Sequence, residues 1–239
     1  MNANQTHDRI VGILGGMGPE ATADLFRELI SLTPATKDQD HIRVLIYSNP
    51  KIPDRTRAIV EAGEDPLPAL VESAMVLEAA GARILAIPCN AAHHFVPQLQ
   101  ARIGIPILDM IEETCRAFLV QLPNESAAGL LAATGTVRSG IYSTVFRRHG
   151  VEIIVPPDRE QKEVQCAIQR IKAGNRDPAI REFLETTGNR LADAGAEAVI
   201  LGCTEIPLQF GAGNVSCPVL NPTRILAQAA VDWALGKRG

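Results

Sequence analysis

The chain has 239 residues, 46% hydrophobic and 21% charged, and its 23 basic and 27 acidic side chains leave a net charge of −4. That is one to two times the roughly 150 residues of a typical domain, long enough to bury a core without disulfide or metal staples. An interspersed, slightly acidic charge argues against a nucleic-acid surface or a polybasic membrane patch, and no apolar run approaches the roughly 18–20 residues of a membrane span.

Residues 1–8 are polar with no apolar stretch, unlike a secretory signal. In chain order, strands are expected over 9–14, 42–48, 83–88, 127–133, 151–155 and 197–202. Helices are expected over 20–31, 67–80, 97–103, 111–121, 139–149, 159–173 and 180–194, with a last helix over 223–235. Gly63, Gly81, Gly104, Gly150, Gly174 and Gly195 punctuate the ends. Strand, helix and strand in alternation predict βαβ units and parallel sheets, an α/β fold.

The chain also repeats itself. Ala80-Gly81-Ala82 is followed seven residues later by Cys89, and Ala194-Gly195-Ala196 is followed seven residues later by Cys203. Gly12 to Gly18 parallels Gly129 to Gly135, and Ile105-Pro106-Ile107-Leu108-Asp109 parallels Cys217-Pro218-Val219-Leu220-Asn221. Three matches in one order at nearly one offset predict two related, pseudo-symmetric α/β domains with a cleft between them. The first takes residues 1–112 with 217–239, so that the last helix returns to pack on it; the second takes 113–216.

In parallel sheets, ligands sit beyond the carboxyl ends of the strands. Each half places a glycine-rich turn and a cysteine there, so two thiols would face one cleft from opposite sides. Such a pair suits inversion of a carbon centre, one group removing a proton and the other delivering one. Only the thiolate is basic, and a free thiol titrates at about 8.5. Each cysteine is followed by a polar residue, Asn90 and Thr204. The turn holding Met17 and its counterpart Thr134-Gly135-Thr136 present backbone N–H groups and hydroxyls suited to a carboxylate.

Three segments carry a family resemblance: Gly15-Gly16-Met17-Gly18-Pro19-Glu20-Ala21-Thr22, Pro88-Cys89-Asn90-Ala91-Ala92-His93 and Leu201-Gly202-Cys203-Thr204-Glu205-Ile206. They resemble the aspartate/glutamate racemase superfamily, nearest its aspartate racemase branch, over almost the whole chain. Glutamate racemases instead begin with an acidic Asp-Ser-Gly-type turn and have histidine where Glu205 stands. The resemblance implies a cofactor-independent amino-acid racemase, usually a homodimer, with Cys89 and Cys203 as its acid/base pair; the cysteine usage and the polar start read as those of a cytoplasmic chain. The resemblance also implies that Arg55 and Lys172 bind substrate carboxylates, with Arg57 competing for the role of Arg55. One position departs: the family's Cys-Asn-Thr reads Cys89-Asn90-Ala91 here, which leaves the chemistry intact and bears on the substrate.

Neither a metal nor a nucleotide is expected. His93 and His94 follow Cys89 without the further ligands that zinc needs, and the glycine spacing is not that of a dinucleotide turn. Five cysteines without regular spacing read as free thiols. Of the other three, Cys115 falls on an apolar helical stripe, Cys217 matches Ile105 in the repeat, and Cys166 lies off its helix's stripe. Glu205 is either a partner of Cys203 or a first-turn acid. A maleate isomerase-like enzyme, another dicarboxylate-acting relative and a non-catalytic amino-acid-binding protein are the alternatives.

Overall fold

The computed structural model describes residues 9–210 and 212–238. Two four-stranded sheets form, all their pairings parallel. The first comprises β1 (Val11–Gly15), β2 (Val44–Ser48), β3 (Ile84–Ala86) and β4 (Ile107–Leu108), in the order β2-β1-β3-β4. The second comprises β5 (Ala127–Ala132), β6 (Glu152–Ile154), β7 (Val199–Gly202) and β8 (Val219–Leu220), in the order β6-β5-β7-β8. The two orders are the same, as the internal repeat requires.

The repeat has a physical basis in side-chain packing. A Cβ on Gly12 would lie 2.9 Å from Ala82 Cβ, and one on Gly129 would lie 3.1 Å from Ala196 Cβ and 2.9 Å from Leu191 Cβ. Each central strand therefore carries a glycine so that the turn before the next strand can pack on it. Downstream, Asp109 accepts from the amides of Ile111 and Glu112 to cap α5 (Met110–Gln121), and Asn221 accepts from those of Thr223 and Arg224 to cap α10 (Pro222–Ala234). Repeat-matched residues start repeat-matched helices.

Each sheet is covered on both faces. In the first half, α1 (Pro19–Leu32) and α10 bury Leu25, Leu29, Leu226, Ala230 and Val231 against Val11 and Ile13. On the other face, α3 (Leu67–Ala79) buries Leu70, Ala74 and Leu77, with α4 (Val96–Gln100) beside it. In the second half, α5 and α7 (Ile141–Arg147) bring together Ile111, Cys115, Phe118, Tyr142 and Phe146, the Phe118 and Phe146 rings meeting edge-on at 5.7 Å. Opposite them lie α8 (Asp158–Lys172) and α9 (Pro178–Asp193) with Val164, Ile168, Ile171 and Leu184. None of these helices is long and apolar enough to cross a membrane.

Four short elements differ from the expectation. β4 and β8 have two residues each, too few to show alternation, and α2 (Arg55–Val60) and α6 (Thr134–Ser139) have six each, too few for a helical stripe. Because β8 pairs with β7, the chain stays in the second sheet as far as residue 220. The last helix packs against α1.

The tight strand glycines give a stability prediction. Gly129→Ala, remote from the cleft and forced against Leu191 and Ala196, is expected to cost about 1–3 kcal/mol, read as a lower urea midpoint. An unshifted midpoint would show that the contact relaxes freely.

Candidate active site

The carboxyl ends of the two sheets face each other. Cys89 stands just beyond β3 and Cys203 directly after β7, each only 7% exposed. Both thiols line one enclosed space, together with Met17, Arg55, Asn90, Ala91, Thr136, Lys172, Thr204 and Glu205. Each wall is pinned by the opposite half. The Thr204 hydroxyl donates to the Pro88 carbonyl at 3.2 Å, and the Tyr142 hydroxyl donates to Asn90 Oδ1 at 2.6 Å. Near the cleft mouth the Gly18 amide donates to Glu205 Oε1 at 3.2 Å.

His93 serves the backbone. The Met110 amide donates to its Nε2 at 3.0 Å, which leaves the proton on Nδ1 to bond the Cys89 carbonyl at 2.9 Å. It thereby ties Cys89 to the start of α5. Among the described residues no group of three or more His, Cys, Asp or Glu side chains is arranged to hold a metal ion.

Three buried polar atoms of the lining have no partner: Arg55 Nε, Asn90 Nδ2 and Thr136 Oγ1. Buried donors left unpaired cost free energy, so this concentration marks where a ligand's acceptors belong. Arg55 is oriented for one. Its Nη1 donates to the Ile52 and Pro53 carbonyls at 3.0 and 2.7 Å, and Nη2 reaches the Met17 carbonyl at 3.4 Å, leaving the Nε edge open. Arg57 instead pairs with Glu61 on the surface, both side chains more than 60% exposed. The structure thus separates two arginines that the sequence left in competition.

The other charged group is Glu205, whose side chain is 4% exposed. Cys203 Sγ donates to Oε2 at 3.0 Å, Thr204 Oγ1 lies 3.4 Å from the same oxygen, and Lys172 Nζ lies 3.7 Å from Oε1. Burial, then the Glu205 charge, pushes the Cys203 thiol well above its ordinary value, with Lys172 pulling the other way. Burial alone would lower the Lys172 ammonium, but Glu205, then Cys203 and Cys89, hold it above its usual value against the opposing charge of Arg55. Cys115 is pushed up to about 11 by burial and Glu112, as suits a core thiol.

The enclosed space is about 60 Å³, room for roughly two waters. It adjoins a vestibule of about 360 Å³ that shares Met17, Asp54, Arg55, Lys172 and Glu205. At the vestibule rim Glu20 pairs with Arg176 of the second half. An exposed pair contributes roughly 0–1 kcal/mol, so it marks the rim without locking it.

This geometry can be set beside known proteins. The family profile of Asp/Glu/hydantoin racemases matches residues 14–230. The chain belongs to that family. It is 27% identical to the broad specificity amino-acid racemase RacX of Bacillus subtilis, covering 95% of this chain and 98% of that protein. Its structure is similar to that of an aspartate racemase of Picrophilus torridus, with TM-score 0.83 and 32% identity over 95% of this chain and 94% of the other. An aspartate racemase homologue of Pyrococcus horikoshii gives TM-score 0.76 and 25% identity over 95% and 99%.

Of the residues singled out in the sequence, Cys89, Cys203, Met17, Arg55, Asn90, Thr136, Lys172 and Thr204 meet at the enclosed space of this racemase-family fold. Thr134 and Gly135 lie at the start of α6, beside it. The Thr134 amide donates to Gln165 Oε1, and Gly135 packs so closely on α2 that a Cβ would lie 2.8 Å from Thr56 Cα. Asp54, Tyr142 and Gln165 were not anticipated. Asp54 had a legible signal, an N-cap before a short helix, whereas Tyr142 reaches Asn90 only through the tertiary fold.

The cysteine environments predict an order of alkylation, read residue by residue with iodoacetamide at pH 8. Exposed Cys166 is expected to react first, and Cys115, buried and raised to about 11, far more slowly. Rapid labelling of Cys115 in the folded protein would contradict the core assignment.

Proposed function

We propose that this racemase-family chain inverts the α carbon of an acidic amino acid, with Cys89 and Cys203 exchanging the α proton from opposite faces. Support comes from two cysteines of opposite halves lining one narrow space whose unpaired donors suit a carboxylate. One thiolate takes the α proton, leaving its electron pair on a planar carbanion delocalised into the α-carboxylate. The opposite thiol then gives its proton to the other face. Arg55, through its open Nε edge, pairs with a carboxylate, while Asn90 Nδ2 and the Thr136 hydroxyl take further oxygens. Fixed donors of this kind stabilise the charge as it develops, without reorganising.

A wider substrate range is the second reading, favoured by Ala91 in the lining where the family pattern has threonine. A missing hydroxyl removes a contact that selects among polar substrates. The full-length similarity to a broad specificity racemase points the same way. A panel of D- and L-amino acids followed by chiral chromatography distinguishes the two readings. Inversion confined to aspartate and glutamate supports the first, and inversion of neutral residues supports the second. Binding with no inversion of any amino acid would contradict both. Ala91→Thr is expected to narrow the range.

Two further outcomes follow. Arg55→Ala is expected to raise KM for dicarboxylic substrates by about tenfold or more, in line with loss of a charge-assisted bond of about 1.5–3 kcal/mol. Arg57→Ala is expected to leave KM nearly unchanged, and equal effects would remove the assignment. Because enantiomers have equal energy, kcat/KM is the same in both directions, so the two faces are read from exchange rather than net rate. Cys89→Ala and Cys203→Ala should each lose inversion while exchanging α deuterium from solvent into opposite enantiomers. Inversion surviving in either variant would sink the two-thiol reading.

A further inference from the structure

Tyr142 is a buried side chain that the proposed reaction leaves unused, yet it touches the site. Its ring packs in the core of the second half with Ile111, Cys115 and Phe118, its centroid 5.9 Å from that of Phe146. Burial holds the phenol well above its ordinary value, so the hydroxyl keeps its proton. That proton is donated at 2.6 Å to Asn90 Oδ1, linking α7 to the residue that follows Cys89. A ring locked by packing holds its hydroxyl at a fixed point.

A carboxamide has two unlike ends of similar size. Half a turn about the last torsion of Asn90 would exchange its acceptor for its donors at little steric cost. The amide is buried, its Oδ1 is held by Tyr142, and its Nδ2 has no partner. We infer that Tyr142 is a positioning residue: its hydroxyl fixes the Asn90 amide so that Nδ2 stays free to donate to a substrate carboxylate in the space that Asn90 lines. The inference rests on the reading above in which Asn90 takes a carboxylate oxygen. With the amide reversed, Oδ1 would meet that anion, and two acceptors would face each other without a proton between them. Arg55 is set in the same manner, since the Ile52 and Pro53 carbonyls hold Nη1 and leave Nε open. Donors aimed before the substrate arrives need no reorganisation as charge develops.

Racemisation kinetics of Tyr142→Phe, Asn90→Ala and the double variant, with aspartate as the probe, test this role. Tyr142→Phe keeps the ring and deletes only the hydroxyl. It is expected to raise KM for aspartate by about three- to tenfold, the range of one neutral hydrogen bond. Its effect should divide between KM and kcat in the same proportion as that of Asn90→Ala, because the hydroxyl acts through that amide. In the Asn90→Ala background, Tyr142→Phe should change neither constant further. A merely structural tyrosine would cost the same factor in both backgrounds. Asn90→Asp keeps an acceptor for Tyr142 but puts an anion where the donor stood, and is expected to raise KM more than Asn90→Ala does.

A raised KM in Asn90→Ala beside an unchanged KM in Tyr142→Phe would overturn the role of Tyr142 and leave Asn90 as a substrate contact. Equal factors for Tyr142→Phe in both backgrounds would do the same. An Asn90→Asp protein with the KM of the unmodified one would show that no donor is needed there, and would also overturn the role. An unchanged KM in Asn90→Ala would remove Asn90 from the substrate contacts, and this inference with it. No inversion of aspartate by the unmodified protein would contradict the acidic-substrate reading on which both depend.

Discussion

A buried carboxylate has to be surrounded by donors, and Glu205 meets that constraint by drawing on three separate parts of the chain. Its own strand end supplies the Cys203 thiol and the Thr204 hydroxyl, α8 supplies Lys172, and the turn before α1 supplies the Gly18 amide. The last of these crosses from one half of the molecule to the other. Breaking the arrangement would leave a buried carboxyl group without its donors, which costs more than losing an exposed ion pair worth roughly 0–1 kcal/mol. A contact between the two halves and a contact with the Cys203 thiol therefore meet on one side chain.

Duplication explains how two thiols come to face each other. Both sheets have the same strand order, and each ends its third strand in sequence order at or just before a cysteine. Parallel strands deliver their carboxyl ends to one edge, so two sheets meeting by those edges present equivalent atoms across the gap. What differs between the copies is local chemistry: Cys203 has a carboxylate partner, whereas Cys89 is anchored through its carbonyl to His93. A symmetric scaffold thus carries two cysteines in unlike surroundings.

The alternation of strands and helices was legible because the longer elements have clear stripes, as in α8 with Val164, Ile168 and Ile171. The repeat of Ala-Gly-Ala with a cysteine seven residues on was legible because each member does a packing job that tolerates little change, Gly12 and Gly129 against Ala82 and Ala196. Two-residue strands and six-residue helices were not legible, since periodicity needs more positions than they have. Within the site, the cysteines and Arg55 could be named from the sequence. The bonds that orient them could not: Tyr142 is 52 positions from Asn90, and Gly18 is 187 from Glu205. Such pairings are fixed by the fold alone.

The central claim is that the proton leaving one face of the α carbon is not the proton arriving at the other. The most direct test is racemisation of a single enantiomer in deuterium oxide by the unmodified protein, sampled early and resolved by chiral mass spectrometry. Two thiols acting from opposite sides predict that each inverted molecule carries solvent deuterium at the α carbon while unconverted substrate still carries protium. Inverted product retaining the substrate's own α hydrogen would mean that one group serves both faces, and would contradict the account.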